Sequence, residues 1–381
     1  MYNFFPNQNK SAEKSSHVTF MTLFALIPLF ALISCNSPKV RSRHSPEAER
    51  VIALLDSVGK ADCYLFGHQD DLFYGHHWSF KDADVTDSSD TRAVCGDYPG
   101  IIGAEIGGLE LGKPISLDSV PFDLIRSKAV EQYGRGGLIT VSWHPYSPVS
   151  DSNAWYLKDT NVVSLILHDS TVNAKFRGDL QAVADFFGSI MTADGKLVPI
   201  IFRPWHEMNY SWFWWGKKFC ADSEYVALYR MTVDFMREKG LNNLIFAYSP
   251  SQQFLPEDYS GRYPGDDYVD ILGCDDYMYG SREAFAAMVQ TDFSFIRQMA
   301  EEHHKPFALT ETGSESMPDP EWWTKTLAPA VRGTGISYLL IWRNAWNKPK
   351  HYFSTFVGEH SAPDFVEFYK LPETIFAGDL K

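Results

Sequence analysis

The sequence predicts a (β/α)8 TIM barrel in the α/β class, on three observations. Eight short apolar runs rich in β-branched residues recur along the chain, helix-like stretches fall between them, and polar and aromatic residues collect at one end of the runs. Strand alternating with helix implies a parallel sheet, and eight such units imply closure. At 381 residues and 45% hydrophobic, the chain fills one barrel without needing a second domain.

In chain order, the strands are expected at 63–67, 101–105, 137–143, 197–203, 244–248, 269–275, 306–311 and 337–342, with helices such as 47–58, 179–190, 223–239 and 282–303. The first run leads into Gly67-His68-Gln69-Asp70-Asp71, which holds no glycine-rich phosphate turn, so an open dinucleotide-binding sheet is disfavoured. The second run ends on Glu105, the third on Trp143-His144, and the fourth on Arg203 to Glu207. The sixth ends on Asp275-Asp276-Tyr277, the seventh on Glu311, and the eighth on Trp342-Arg343. In a barrel, those ends form the catalytic face. Long connections after the second, fourth and eighth strands are expected to shape the cleft.

The N-terminus stands outside this pattern. Lys10, Lys14 and His17 precede an apolar run over 20–33, too short for a stable bilayer anchor. It ends in Leu32-Ile33-Ser34-Cys35, which resembles a bacterial lipobox. The resemblance implies a signal peptide over 1–35 with lipid on Cys35, a tether over 36–47 and a catalytic domain over 48–381. It also implies a bacterial cell-envelope protein whose only membrane contact is the lipid; with no acidic cluster after Cys35, the periplasm is preferred to the outer surface.

The formal charge of −14 argues against nucleic acid, which needs a basic footprint. Cys63, Cys95, Cys220 and Cys274 match no zinc spacing, and Cys63 to Cys95 is the nearest pair for a disulfide. His206-Glu207 begins like H-E-x-x-H, but Tyr210 holds the second ligand position and Arg203-Pro204 opposes a helix there. No G-x-S-x-G elbow is present. No metal and no cofactor are expected.

Two glutamates remain, Glu207 and Glu311, 104 residues apart (311 minus 207) at the ends of the fourth and seventh runs. Two carboxylates facing one bond are the minimum equipment for glycoside hydrolysis: about 5–5.5 Å apart for retention, about 6.5–9.5 Å for inversion. Eleven Trp and nineteen Tyr suit stacking on sugar rings.

Arg203-Pro204-Trp205-His206-Glu207-Met208-Asn209 with Trp212-Phe213-Trp214-Trp215-Gly216 resembles the acid/base segment of glycoside hydrolase family 26, chiefly β-mannanases. The stretch 263–270 with Asp275-Asp276-Tyr277 resembles that family's sixth-strand segment. Thr310-Glu311-Thr312-Gly313 resembles its nucleophile segment, and Trp342-Arg343-Asn344-Ala345 the end of its eighth strand. The similarity runs from about residue 48 to the C-terminus. It implies Glu207 as general acid/base and Glu311 as nucleophile in a double displacement on β-1,4-mannan, glucomannan or galactomannan. Apart from that resemblance, a monomer is expected.

Around this pair, Trp205, Trp212 and Trp214 are expected to wall Glu207 and keep it protonated. Tyr277 is expected to hold Glu311, and His206 to donate to the nucleophile or the sugar 2-hydroxyl. Trp212 and Trp342 are expected as sugar floor, His144 as a substrate contact, and Arg343 as a clamp or a barrel-top salt bridge. Glu105 and Asp275 orient neighbours or touch sugar. His68, Asp70, Asp71, His76 and His77 form a polar loop. Mannobiose release, β-1,3-xylan or mixed-linkage glucan as substrate, and a non-catalytic sugar-binding lipoprotein are the alternatives; the last would need one glutamate missing.

Overall fold

The computed structural model describes residues 43–82 and 88–381. The leader, Cys35 and most of the tether lie outside the described residues. Eight parallel strands run β1 Tyr64–Gln69, β2 Ile101–Glu105, β3 Leu138–Trp143, β4 Ile200–Pro204, β5 Leu244–Tyr248, β6 Ile271–Tyr277, β7 Phe307–Gly313 and β8 Tyr338–Ile341. Each pairs with the next, and β8 closes on β1 from Leu65 opposite Tyr338 to His68 opposite Ile341. The sheet is a closed (β/α)8 barrel. β4 starts three residues later than its apolar run because Pro199 has no N–H for the ladder.

Side chains two apart along a strand share a face, and each strand's inward face changes character from base to mouth. Leu65, Ile101, Leu138, Ile201, Ile245, Ile271, Ala308 and Tyr338 are buried in one apolar cluster at the base. Continuing the same alternation upward gives Glu105 on β2, Ser142 on β3, Arg203 on β4 and Asp275 on β6, all buried. The lower barrel is thus a dry plug and the upper barrel a set of polar groups. Burial of the plug contributes roughly 1.5–3 kcal/mol per large aliphatic side chain.

The base is closed by α1, Pro46–Lys60. Ser45 accepts from the Ala48 N–H at 3.2 Å as N-cap, and Pro46 occupies the first turn, where its missing N–H costs nothing. Its buried stripe of Ala48, Val51, Leu55 and Val58 joins the plug cluster. This helix begins inside the stretch 36–47 read as tether. The helix expected over 179–190 is the second half of α2, Ser170–Gly188. The helices expected over 223–239 and 282–303 are α3, Asp222–Glu238, and α4, Arg282–His303. All four described cysteines are free thiols, so the Cys63 to Cys95 bridge does not form. Among the described residues, no helix is long and apolar enough to cross a membrane.

Candidate active site

β4 delivers the first carboxylate through a contorted exit. After Pro204 the backbone enters the left-handed region at Trp205 (φ 58°) and again at Glu207 (φ 53°), which non-glycine residues adopt only when the surroundings over-determine them. The Glu207 N–H is held by the Ser249 carbonyl of the neighbouring strand end at 2.8 Å. Its carboxylate accepts from the Trp212 indole at 2.7 Å. Trp205 and Trp214, expected against this carboxyl, turn the other way. Trp205 donates to Thr232 at 3.1 Å, and Trp214 to the Pro145 carbonyl at 3.2 Å.

β7 delivers the second carboxylate through a bulge. Asp275 lies opposite Glu311 where Cys274 lies opposite Leu309, so β7 carries one extra residue there. Alternation from Ala308 would turn Glu311 outward; the bulge at Thr310 lets both residues face the mouth. Thr310 donates to Asp275 at 2.7 Å, and Arg203 donates to Glu311. Tyr277 donates to the other Glu311 oxygen at 2.7 Å. Arg203 also reaches Asp275 at 2.9 Å, and Ser249 donates to Asp275 at 2.9 Å.

Carboxylate oxygens of Glu207, Asp275 and Glu311 lie within 4.8 Å of one another. Such a trio has the spacing to hold a divalent cation, but the cation bridging two of its members is the Arg203 guanidinium. Burial opposes that charge, yet Asp275 and Glu311 outweigh it and hold Arg203 above its ordinary pKa. Burial, then the charges of Asp275 and Glu311, raise the Glu207 carboxyl well above the usual carboxylate range. Burial chiefly, with the Glu311 charge, pushes Asp275 up to about 7 against the pull of Arg203. Glu207 lacks the Arg203 and Tyr277 donors that Glu311 has, so the proton belongs on Glu207.

Residues 40–350 match the model of glycosyl hydrolase family 26. The chain belongs to that family. A mannan endo-1,4-beta-mannosidase of Bifidobacterium adolescentis is 33% identical over 279 residues, 70% of this chain and 27% of the relative. One from Bacillus subtilis is 28% identical, covering 67% of this chain and 69% of its own length. Among solved structures, a GH26 β-mannanase from Bacteroides ovatus superposes with a TM-score of 0.84 at 40% identity, covering 88% of this chain and 96% of that one. The catalytic domain of a Bacillus sp. GH26 endo-β-1,4-mannanase gives 0.80 at 30% identity, covering 89% and 93%. This chain therefore spans about a quarter of the Bifidobacterium relative but nearly all of the Bacteroides domain.

In this family 26 chain the remaining expected site residues are held by their neighbours at the mouth. His144 is 6% exposed, with Trp155 stacked on its ring at 5.1 Å and 17°. Glu105 accepts from the His144 ring at 2.8 Å and from its backbone N–H at 2.9 Å, so Glu105 orients His144. Burial disfavours the His144 cation, but Glu105 more than offsets this and raises its pKa. His206 meets His144 Nε2 to Nε2 at 3.0 Å and makes no hydrogen bond to Glu311. Burial, Arg203 and His144 drive the His206 pKa far down, so it is neutral. When His144 is protonated it donates from both nitrogens. His206 then accepts at Nε2 and keeps its proton on Nδ1, which has no hydrogen-bond partner among the described residues.

Trp212, Tyr277, Trp342 and Arg343 are half-buried at the mouth. Arg343 is a barrel-top salt bridge, 3.0 Å from Asp118 and 3.1 Å from the Tyr74 hydroxyl, which donates in turn to Asp70 at 2.5 Å. In the polar loop, expected to bind sugar or to be solvated, His68, Asp70 and Asp71 are buried, His76 is half-buried and His77 is exposed. His68 binds Asp71 at 2.9 Å, and the His76 and His77 rings lie 4.1 and 5.0 Å from Phe356. Among the described residues, these five form no cluster of metal-ligand spacing. Sequence reading missed Asp118, Tyr74 and Trp155; the last is 48% exposed, a large aromatic left beside the acid/base segment.

Proposed function

We propose that this protein is a retaining glycoside hydrolase that cleaves β-1,4-mannosidic bonds in mannan, glucomannan or galactomannan. Glu207 is the general acid/base and Glu311 the nucleophile. The observation that carries the reading is the separation of those two carboxylates. At 4.8 Å or less between oxygens, it fits direct attack and leaves no room for the interposed water of an inverting enzyme. The relatives from Bifidobacterium adolescentis and Bacillus subtilis are mannan endo-1,4-beta-mannosidases and the Bacteroides ovatus one a β-mannanase, which supports mannan as the substrate class.

In the first step Glu207 gives its proton to the glycosidic oxygen as Glu311 attacks the anomeric carbon, so the sugar–oxygen bond breaks and an α-glycosyl ester forms. Arg203 and Tyr277 each donate to one Glu311 oxygen and so aim it at the anomeric carbon. In the second step Glu207, now a carboxylate, takes a proton from water, whose oxygen displaces Glu311 and restores the β configuration. The Nδ1–H of His206 is a buried donor left for the sugar 2-hydroxyl.

Azide rescue separates the two roles. With an aryl β-mannoside, Glu311→Ala plus azide should yield the α-mannosyl azide and Glu207→Ala plus azide the β-azide. Wild-type turnover on mannan by either variant refutes the assignment.

A second reading, mannobiose release, is favoured by the Arg343–Asp118 pair. It ties the connection after β2 to the end of β8, over the side of the mouth formed by β8, β1 and β2. Product chromatography on mannohexaose decides: disaccharide alone from the first minute supports release from an end, and a spread of lengths supports internal cleavage.

The chain is further read as a monomer held in the bacterial envelope by lipid on Cys35 and facing the periplasm. The lipobox-like Leu32-Ile33-Ser34-Cys35 supports the anchor, and the lack of an acidic cluster after Cys35 supports the periplasmic side. A Cys35→Ser variant that stays in the membrane fraction would refute it.

A further inference from the structure

The described chain enters the barrel at the face opposite the cleft. Arg43 pairs with Asp267 at 3.0 Å, and His44 meets Asp270 at 2.9 Å with both side chains over nine-tenths buried. The Ser45 N–H donates to the Asn242 carbonyl at 2.7 Å. Asp267 and Asp270 lead into β6 at Ile271, and Asn242 precedes β5 at Leu244, so all three anchors sit at the starts of strands. Glu207 and Glu311 sit at the other ends. From Ser45 the chain runs straight into α1 across the base, which fixes the direction of entry.

The reach between Cys35 and this point is short. Eight residue steps separate Cys35 from Arg43 (43 minus 35), and a chain extends at most about 3.6 Å per step, or roughly 29 Å. A seven-residue strand such as β6 rises about 20 Å along the barrel wall. If the mouth faced the lipid, the tether would spend that length climbing level with the glutamates. Less than about 10 Å would remain for the loops above them and for a sugar chain beneath. With the base facing the lipid, no such length is lost.

We infer that the lipid anchor holds the barrel base-down, with α1 and the turns before β5, β6 and β7 toward the lipid surface and the cleft open to the aqueous side. This rests on the Cys35 reading above. The base groove beside α1 carries Lys60, Arg297 and Lys305 among Glu49, Asp56, Asp62 and Glu301, so it offers no excess of positive charge to anionic headgroups. The tether, not headgroup charge, sets the orientation, and salt should leave it unchanged. The consequence for function is access: a polysaccharide arriving from the aqueous compartment meets the mouth first.

The test uses the full lipidated chain in phosphatidylcholine vesicles carrying a headgroup-linked acceptor dye, with Cys63 and Cys95 changed to Ser. A donor dye is attached through Lys60→Cys on α1 or through Tyr279→Cys on the exposed rim after β6. Energy transfer from position 60 should be at least twice that from position 279. Inserting twenty Gly/Ser residues after Val40 should at least halve that ratio. Equal transfer, or more from 279, on protein whose Cys35 carries lipid by mass spectrometry overturns the orientation alone. An unlipidated Cys35 overturns the anchor and the orientation together.

Discussion

At the residue scale, chemistry is divided between two carboxylates by their neighbours. Glu311 accepts from Arg203 and Tyr277, while Glu207 accepts from the Trp212 indole and faces two negative neighbours. The raised pKa of Glu207 predicts that kcat/KM falls as pH rises through it, because the acid form is the one that protonates the leaving oxygen. Glu207→Gln should abolish that alkaline limb while lowering the rate on mannan. A variant that keeps the limb would assign it elsewhere. Tyr277→Phe removes one donor from Glu311 and should lower kcat about 100-fold with KM little changed, since that bond orients the attacking group. Steady-state kinetics on manno-oligosaccharides reads the split.

At the element scale, sequence and structure agree where burial dictates the pattern and part where geometry is local. Strands covered on both faces read as apolar runs, so all eight were legible within a few residues. Glu207 and Glu311 were legible as strand ends. The bulge at Thr310 was not, and simple alternation would have turned Glu311 away from the mouth. Asp118 carries no periodic signal, because it lies in the connection after β2, where it pairs with Arg343. His206 was legible as a site residue but not its partner, because the strand carrying His144 had no known register against β4.

A second packing feature lies between β6 and α4. Asp276 and Asp292 oxygens lie within 4.8 Å of each other, beside the Cys274 thiol. Burial chiefly, and then Asp292, raise Asp276 well above the carboxylate range, and burial pushes Asp292 up to about 6. Both folded-state values exceed the unfolded value of about 3.9. Their stabilising contribution is therefore fully present below about pH 4 and is lost as pH rises through 6 and above. Asp292→Asn should flatten urea stability between pH 4 and 8 and raise it at pH 8 by on the order of 1 kcal/mol. An unchanged pH slope in the variant would contradict the pairing.

At the scale of the whole molecule, the barrel separates stability from chemistry along its axis. The base holds the apolar plug and α1, and the mouth holds Glu207, Glu311, Asp275 and the His144–His206 pair. A base substitution such as Leu55→Ala should cost about 2–5 kcal/mol of stability while leaving kcat and KM near wild type under folding conditions. Loss of kcat out of proportion to folded fraction would show that base and mouth are coupled. The measurement that tests the account most directly is the anomeric form of the first product, followed by proton NMR during hydrolysis of manno-oligosaccharide. The spacing of Glu207 and Glu311 predicts that the β-anomer appears first and mutarotates later; an initial α-anomer would mean that water, not Glu311, attacks the sugar.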